Sequence, residues 1–443
     1  MKIDNFKIKT INIQNYKKYG SLDINLSNQF MLIIGENGSG KTSLLDAIAT
    51  FLGGYLQGFK EVASSQRHSI LKKDIKLDII DKDENISVQY NTPVIISGIC
   101  SINGSDVAIK RVRKNSNKTT MTKLLKSDNS ELIEIVKSLE EKNSSLLPII
   151  SYHGTGRLWE QSNKKSSKME NLTRLDGYTD CLNAKSNYEN FIIWFEKLER
   201  HSFNVRKEIP ILEAVRNVVM KTLSILTKKE IELFIYRESD LEIKYKDEEK
   251  RERVSNLSDG YKNIIGIVSD IAYRMSILNP NLGLEVTQKT SGVVLIDELD
   301  LHLHPRWQKE IVAILLKLFP KVQFIATSHS PFIIQSISKD SIIKLNESDN
   351  QKLNIDATQL SIEDIAEDIQ NIELPQISKR KLDMLESADR YFEILEKFED
   401  KKVSELEVEI LKKELDILIE PFENNMAYVA FLRRKRLVVE SKL

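Results

Sequence analysis

The fold is decided by one short stretch of sequence, Gly35-Glu36-Asn37-Gly38-Ser39-Gly40-Lys41-Thr42. It matches the pattern G-x-x-x-x-G-K-[ST], in which main-chain N–H groups surround phosphate oxygens. The apolar run of residues 30–34 before it predicts a buried strand, and Leu44, Leu45 and Ile48 after it predict one face of a helix. A strand, a glycine loop and a helix in this order predict a phosphate-binding loop in an α/β fold.

The loop also predicts its own binding residues. We expect Lys41 to reach the β- and γ-phosphates and to act in catalysis, and Thr42 to give its hydroxyl to Mg²⁺. The cofactors predicted from this loop are therefore ATP and Mg²⁺. The full set of predicted cofactor-binding residues in the loop is Asn37, Gly38, Ser39, Gly40, Lys41, Thr42 and Ser43.

A second apolar run ends in two carboxylates. Residues 293–296 read Val-Val-Leu-Ile, as expected of a strand buried on both faces, and Asp297 and Glu298 follow directly. A strand end beside the phosphate loop is where a magnesium ligand belongs. We therefore assign Asp297 to the metal and Glu298 to the general base that activates the attacking water.

A third motif, Leu257-Ser258-Asp259-Gly260-Tyr261, precedes a helical pattern. Free N–H groups and the helix dipole favour phosphate at such a helix start. The motif resembles the signature loop of ABC ATPases, usually Leu-Ser-Gly-Gly-Gln. Ser258 and Gly260 match that loop, whereas Asp259 and Tyr261 depart from it.

Further resemblances to ABC ATPases follow in the family's order. His329, in Thr327-Ser328-His329-Ser330, stands at the switch histidine that contacts the γ-phosphate, which makes it a predicted catalytic residue. His304 replaces the aspartate of the loop that contacts the second subunit. The stretch 152–157 stands at the glutamine loop but contains no glutamine. His153 or Arg157 is our hypothesis for the group that senses phosphate or Mg²⁺ there.

The motifs and helical patterns divide the 443 residues into two predicted domains. Residues 1–355 read as an ABC-type P-loop NTPase head with a mixed sheet and a helical insertion at about 180–230. Residues 356–443 read as a helical C-terminal domain, because apolar residues recur there at helical spacing. We expect that domain to dock a partner.

Composition excludes several classes of protein. Lys and Arg together number 65, equal to Asp and Glu, so the net charge of zero gives no support to DNA wrapping. The two cysteines, Cys100 and Cys181, form no CxxC pair, which fits a reducing cytoplasm. No apolar run reaches the roughly 18 residues that span a bilayer, and residues 1–9 lack a signal peptide's apolar core. We expect a cytoplasmic protein without a membrane partner.

The motifs together resemble the RecF/SMC-like branch of soluble ABC ATPases, and most of all the ATPases of Septu-type anti-phage defence, including retron-associated forms. The resemblance rests on Gly154-Thr155-Gly156-Arg157-Leu158-Trp159, Leu175-Asp176-Gly177-Tyr178, Asp297-Glu298-Leu299-Asp300-Leu301-His302 and Asn425-Met426-Ala427-Tyr428. It implies a head-to-head dimer, or a higher oligomer, with ATP between the heads. Each site would then take Ser258 and Gly260 from the other subunit. It also implies a partner HNH nuclease that cuts nucleic acid.

Two functions remain open at this point. The first is a defence ATPase that restrains a nuclease, and the second is a RecF-type repair ATPase that clamps DNA. Both use the same ATP site, so the site does not separate them. A basic surface would favour the second; the candidate runs are Lys110-Arg111, Arg113-Lys114 and Arg433-Arg434-Lys435-Arg436. The sequence also leaves open whether ATP is turned over or held as a latch.

Overall fold

The computed structural model describes residues 5–59, 61–62, 67–82, 85–116, 145–157, 173–184, 188–345, 350–352, 356–372, 375–383 and scattered positions between 385 and 437. These residues form two compact units, Met1–Ile362 and Glu363–Leu443. All the strands of the described chain, and all the predicted site residues, belong to the first unit.

The described elements follow in chain order. The strands are β1 Phe6–Tyr16, β2 Tyr19–Asn25, β3 Phe30–Ile34, β4 Leu77–Lys82, β5 Asn85–Tyr90, β6 Val94–Ile102, β7 Ser105–Arg113, β8 Ile149–His153, β9 Ile231–Arg237, β10 Asp240–Tyr245, β11 Arg251–Arg253, β12 Gly292–Ile296, β13 Val322–Thr327, β14 Ile342–Leu345 and β15 Asn350–Lys352. The α-helices are α1 Lys41–Leu56, α2 Tyr188–Val205, α3 Pro210–Thr227, α4 Asp259–Leu278, α5 Val286–Lys289, α6 Pro305–Leu318, α7 Pro331–Ile334 and α8 Ile362–Asp364.

A six-stranded sheet in the order β15-β14-β3-β13-β12-β8 forms the centre of the first unit. Five of its strands run parallel, and only β15 pairs antiparallel. Every residue of β3, β12 and β13 is buried, as expected of parallel strands covered on both faces. The mixed sheet with its helices confirms the predicted α/β fold.

The sheet brings the predicted motifs to one edge. β3 ends before Gly35, β12 ends before Asp297, and β13 ends before Ser328. These strands are neighbours and point the same way, so their carboxyl ends meet. Ligands of open α/β sheets bind at this edge, outside the carboxyl ends of the strands.

A four-stranded antiparallel sheet, β2-β1-β6-β7, joins the central sheet through a buried side chain. Gln323 in β13 is fully buried; its amide oxygen accepts from the Ile8 N–H over 2.8 Å, and its amide nitrogen donates to the Ile8 carbonyl over 3.0 Å. A buried amide needs such partners. Gln323 therefore fixes β1 against the strand that leads to the site.

Several helices lie beyond the central sheet. α2 and α3 lie within the predicted insertion, and α3 packs against both α4 and the three-stranded sheet β11-β10-β9. α4 begins directly after Ser258 and is buried along nearly its whole length. The motif of residues 257–261 is thus attached to a helix that is buried along most of its length.

The second unit is helical at the positions that the structure describes from 379 onward. The second compact unit begins at Glu363. The start of a separate helical domain at residue 356 stays a prediction. Among the residues of the predicted tail motif, 425–428 lie outside the described part of the chain.

Candidate functional site

The phosphate-binding loop takes a shape that its glycines permit. Gly40 has a φ of +103°, and a Cβ there would lie 2.5 Å from the Tyr19 hydroxyl oxygen. α1 starts at the next residue, with Leu44 N–H donating to the Gly40 carbonyl over 2.9 Å. The N–H groups of the first turn have no partner within the helix, so they are available to an anion.

Lys41 lies inside this loop. Its ammonium donates to the carbonyls of Gly35 over 2.9 Å and Glu36 over 2.8 Å, and the residue is buried. Burial lowers the pKa of Lys41, and the charges of Asp297, Glu298 and Asp300 oppose that shift. The structure therefore brings the predicted lysine and both predicted carboxylates within electrostatic reach of each other.

Asp297 forms the centre of a hydroxyl–carboxylate cluster. Its Oδ2 accepts from the Thr42 hydroxyl over 2.8 Å, and its Oδ1 accepts from the Thr327 hydroxyl over 2.6 Å. Its main-chain N–H donates to the His153 carbonyl over 2.8 Å. Both predicted magnesium ligands, Thr42 and Asp297, thus lie side by side. A threonine hydroxyl beside a carboxylate offers the hard oxygen ligands that Mg²⁺ requires.

Glu298 turns the chain away from β12. Its φ of +47° lies in the left-handed region, which is uncommon for a residue other than glycine. Its main-chain N–H donates to the Thr327 hydroxyl over 2.7 Å. The same threonine therefore orients Asp297 and supports the turn at Glu298, although no sequence motif marks it for either task.

His329 lies near the same charges. Burial lowers its pKa, Lys41 lowers it further, and Asp300, Glu298 and Asp297 oppose the shift. Ser328 donates its hydroxyl to Asp300 Oδ1 over 2.6 Å, and Ser330 donates to Gln308 Oε1 over 2.6 Å. These two bonds fix the backbone on either side of His329 at the sheet edge.

Ser258 and Gly260 lie at the start of α4. Ser258 is exposed and precedes α4, and a Cβ at Gly260 would lie 2.6 Å from the His302 carbonyl oxygen. The Tyr261 ring meets the Trp307 ring edge-on at 4.6 Å. In the described residues these contacts run to residues 301–307 and not to the phosphate loop. Within one chain, the structure does not bring the signature loop to Lys41.

His304 caps α6. Its Nδ1 accepts from the Arg306 N–H over 3.2 Å, the bond that an aspartate at this position would also make. The described residues contain no group of three or more His, Cys, Asp or Glu side chains that could hold a metal. His302 thus lies in a turn, and His304 caps a helix.

His153 belongs to a buried network on the α4 side of the sheet. Its Nε2 lies 3.0 Å from the Ser151 hydroxyl and 3.6 Å from Asp270 Oδ2. Asp270 also accepts from Arg274 Nε over 2.9 Å. Tyr152, which precedes His153 in β8, points away from this network, and its hydroxyl donates to Asp46 of α1 over 3.1 Å.

This placement bears on the hypothesis that His153 or Arg157 senses phosphate or Mg²⁺. The His153 imidazole is directed into the interior, toward α4, and its main-chain carbonyl is the group that meets Asp297. The hypothesis is therefore wrong for the His153 side chain. The side chain of Arg157 lies outside the described residues, so the hypothesis stays open for it.

Two contacts to the phosphate loop escaped sequence reasoning. Lys18 donates from Nζ to the Gly38 carbonyl over 2.7 Å, and Tyr19 donates to the Gly40 carbonyl over 2.9 Å. Lys18 lies in the turn between β1 and β2, and Tyr19 begins β2; in the sequence this stretch reads as an ordinary hairpin. The only local signal was a lysine and a tyrosine at that turn.

The candidate basic runs at residues 110–114 do not place their two arginines on the surface. Arg111 is fully buried and donates to the carbonyls of Thr50 over 2.9 Å and of Arg67 and His68 over 3.3 Å. Arg113 is also buried and donates to the Ile70 carbonyl over 2.9 Å. Alternation along β7 places both guanidiniums on its inner face.

The other predicted basic run lies in the second unit. Arg434 is exposed there, whereas residues 433, 435 and 436 lie outside the described part of the chain.

A glycine loop at a strand–helix junction, a lysine within it and a contact between the helix threonine and the aspartate at a neighbouring strand end define a P-loop nucleotide-binding fold. The profile of the AAA domain family matches residues 10–272, which is more than half of the chain. This chain therefore belongs to the AAA domain family.

Several curated proteins are similar over most of this chain. A Vibrio cholerae serotype O1 biovar El Tor protein named retron Vc95 probable ATPase is 24% identical, covering 78% of this chain and 75% of its own length. The Septu protein PtuA of Bacillus mycoides (strain KBAB4) is 26% identical over 78% of this chain and 41% of its own length. The DNA replication and repair protein RecF of Rickettsia conorii (strain ATCC VR-613 / Malish 7) is 21% identical over 77% and 99%.

Among solved structures, an Smc head domain with an extended coiled coil, bound to the C-terminal domain of ScpA derived from Pyrococcus furiosus, covers 82% of this chain and 100% of its own. The identity is 15% and the TM-score 0.45. No helix among the described residues is both long and apolar enough to cross a membrane.

Proposed function

We propose that this chain is the ATP-binding and ATP-hydrolysing subunit of an anti-phage defence complex, that it dimerises around ATP, and that it regulates a partner HNH nuclease. The observation that carries the proposal is the contact of Thr42 with Asp297 over 2.8 Å beside the buried Lys41. Each further step has its own support.

The residues present fit ATP and Mg²⁺. Among the described residues, the buried Ser39 hydroxyl in the phosphate loop has no hydrogen-bond partner, so an oxygen-rich anion would satisfy it. Residues 37–43 would hold the phosphates, and Thr42 with Asp297 would hold the metal. When bound, Mg²⁺ neutralises negative charge on the phosphates.

Hydrolysis would depend on two residues at the sheet edge. Glu298 would accept a proton from the attacking water as general base. His329, whose neutral form burial and Lys41 both favour, would donate a hydrogen bond toward the γ-phosphate. Lys41 would balance phosphate charge from inside the loop. The same site would serve rapid turnover of ATP or a latch in which ATP mainly holds subunits together, and the measured rate of hydrolysis separates the two.

The dimer follows from an incomplete site. Ser258 and Gly260 suit a phosphate at the start of α4, yet the contacts of Gly260 and Tyr261 within the chain run to His302 and Trp307. A second copy, facing the first, would bring its signature loop to Lys41 and its neighbours. Two ATP molecules would then lie between two heads, and higher oligomers are compatible with this arrangement.

The defence role rests on the relatives. Proteins named as a retron ATPase and as Septu PtuA match about three quarters of this chain. In such systems we expect the ATPase to restrain an HNH nuclease of the PtuB kind, which would reach nucleic acid through the complex. We place the docking of that nuclease on the helical unit after residue 362.

The alternative function is a RecF-like repair ATPase that clamps DNA. The RecF match, which covers 99% of that relative's length, favours it. Against it stands the burial of Arg111 and Arg113, which removes two of its candidate DNA contacts. Strong stimulation of ATP turnover by duplex DNA would put this alternative ahead.

The test of this proposal measures both the rate of ATP hydrolysis and the mass of the protein particle. ATP hydrolysis is measured with and without duplex DNA, and light scattering follows the mass of the particle on ATP addition. We expect Lys41→Ala to lose nucleotide binding and Glu298→Gln to gain ATP-dependent dimer. Lys289→Ala and Glu285→Gln serve as matched controls, because these residues form an exposed ion pair between the end of α5 and the residue that precedes it.

The decisive failures differ for each part of the proposal. An unchanged mass for Glu298→Gln with saturating ATP would overturn the dimer. In a second test, cells carry both the Lys41→Ala variant and the partner nuclease. Full protection of these cells against phage would overturn the role of ATP in defence.

A further inference from the structure

The turn between β1 and β2 lies against the phosphate loop. Tyr16 and Tyr19 pair across the two strands, so Lys17 and Lys18 form the turn itself. A Cβ at Gly40 would lie 2.6 Å from Lys18 Cδ and 2.5 Å from the Tyr19 hydroxyl oxygen. The stem of Lys18 therefore crosses the loop at Gly40, in the space that a side chain there would fill.

The end of the Lys18 side chain reaches further along the loop. Its ammonium donates to the Gly38 carbonyl over 2.7 Å, and Tyr19 holds the turn in place by donating to the Gly40 carbonyl over 2.9 Å. An ammonium has three N–H donors. Among the described residues the Gly38 carbonyl is its one hydrogen-bond partner, so donors remain for a ligand of the loop.

Lys18 and its neighbour Lys17 differ in their partners. Lys17 forms an ion pair with Asp46 of α1, whereas within the described part of the chain Lys18 has no carboxylate partner. Lys18 is also exposed, so its charge is presented at the surface of the phosphate loop. A cation without a countercharge, placed beside main-chain N–H groups, adds to their attraction for an anion.

The lysine inside the loop does not act in a purely positive environment. The charges of Asp297, Glu298 and Asp300 act on Lys41, and carboxylates in that place repel a polyphosphate. Lys18 also lies within electrostatic reach of Lys41. Two cations that repel each other are both stabilised by an anion close to them, and the second cation offsets the repulsion from the carboxylates.

We propose that Lys18 is a second phosphate-binding cation of the nucleotide site, and that it acts on the α- and β-phosphates, which the main chain of the loop surrounds. The inference rests on the proposed function only in taking a nucleoside polyphosphate as the ligand of the loop. It gives a turn outside the pattern G-x-x-x-x-G-K-[ST] a share in holding that ligand. Tyr19 is a positioning residue, because its hydrogen bond holds the turn on the loop.

Binding of magnesium-ADP to the full chain tests this assignment, because ADP carries the two phosphates concerned and lacks the γ-phosphate. Lys18→Met keeps an apolar stem and removes the charge, whereas Lys18→Arg keeps the charge. In titration calorimetry at low salt we expect Lys18→Met to weaken ADP binding by about tenfold and Lys18→Arg to stay within about threefold of the parent. Lys9→Met, at an exposed lysine of β1, is the matched control and should bind as the parent does.

Further measurements separate a charge effect from a structural one. The loss in Lys18→Met should shrink as salt is added, and Lys18→Glu should bind ADP more weakly than Lys18→Met. The melting temperature of Lys18→Met without nucleotide should equal that of the parent, because the side chain is exposed.

Three results would overturn the inference. They are parental ADP affinity in Lys18→Met, an equal loss of affinity at low and high salt, and a loss for the ATP analogue AMP-PNP without one for ADP. A parent protein that binds ADP no better than Lys41→Ala would instead overturn the nucleotide site as a whole, so the two failures are distinguishable.

Discussion

Thr42 and Asp297 are 255 residues apart in the chain, yet the Thr42 hydroxyl donates to Asp297 Oδ2 over 2.8 Å. Thr42 lies in the first turn of α1, after β3, and Asp297 follows β12, with β13 between these two strands in the sheet. Thr327 at the end of β13 donates to the second oxygen of the same carboxylate. A hydroxyl from α1 and a hydroxyl from the end of β13 thus converge on one aspartate after β12, which fixes its orientation before any ligand arrives.

The first prediction concerns that hydroxyl pair. Thr42→Ala removes an oxygen that we assign to Mg²⁺ and also leaves Asp297 with one donor fewer. We expect magnesium-dependent ATP affinity to fall by about tenfold or more, which corresponds to roughly 1.4 kcal/mol. Thr42→Ser keeps the hydroxyl and should bind nearly normally. Equal ATP affinity of the alanine and serine variants in titration calorimetry would remove Thr42 from the site.

The second prediction follows from His329. Because burial and Lys41 lower its pKa, the unfolded chain binds more protons than the folded one once the pH falls below about 6.5, the ordinary histidine pKa. Stability should therefore decrease as the pH falls through that value toward the folded pKa. His329→Gln should show a shallower loss of melting temperature between about pH 7.5 and 5.5, whereas His201→Gln at an exposed position should follow the parent protein.

The third prediction tests the burial of Arg111. Burial lowers its pKa to about 9, so the guanidinium remains charged at neutral pH while it holds three main-chain carbonyls. Arg111→Ala leaves those carbonyls without their donor, and we expect a loss of about 3 kcal/mol in the free energy of unfolding. Lys110→Ala, on the adjacent position of β7, should cost little. A variant at 111 with parental stability and weakened DNA binding would contradict the structure.

The fourth prediction concerns the buried network behind β8. Asp270→Asn removes the carboxylate that pairs with Arg274 over 2.9 Å, leaving a buried guanidinium without its countercharge. We expect a loss of about 3 kcal/mol or more in the free energy of unfolding by denaturant titration. The double variant Asp270→Asn with Arg274→Gln should lose less than the sum of the two single losses, because the charges depend on each other. Strict additivity would show that the pair is not coupled.

Local pattern alone determined the phosphate loop and both carboxylates. Gly35 to Thr42 specify a loop by residue type at fixed spacing, and the apolar runs before Gly35 and Asp297 specify buried strands. The observed strands end at Ile34 and Ile296, as those runs predict. Such signals are readable because each depends only on neighbours within about ten residues. The family resemblance added the order of the motifs.

Tertiary structure decided what local pattern leaves open. Thr327 holds Asp297, Lys18 meets the phosphate loop, and Arg111 turns inward to the carbonyls around α1, and each contact joins residues that are distant in sequence. A basic residue on a strand looks the same in the sequence whether its side chain faces solvent or the interior. Only the packing of β7 against α1 fixes which face is buried, and therefore whether Arg111 binds a ligand or supports the fold.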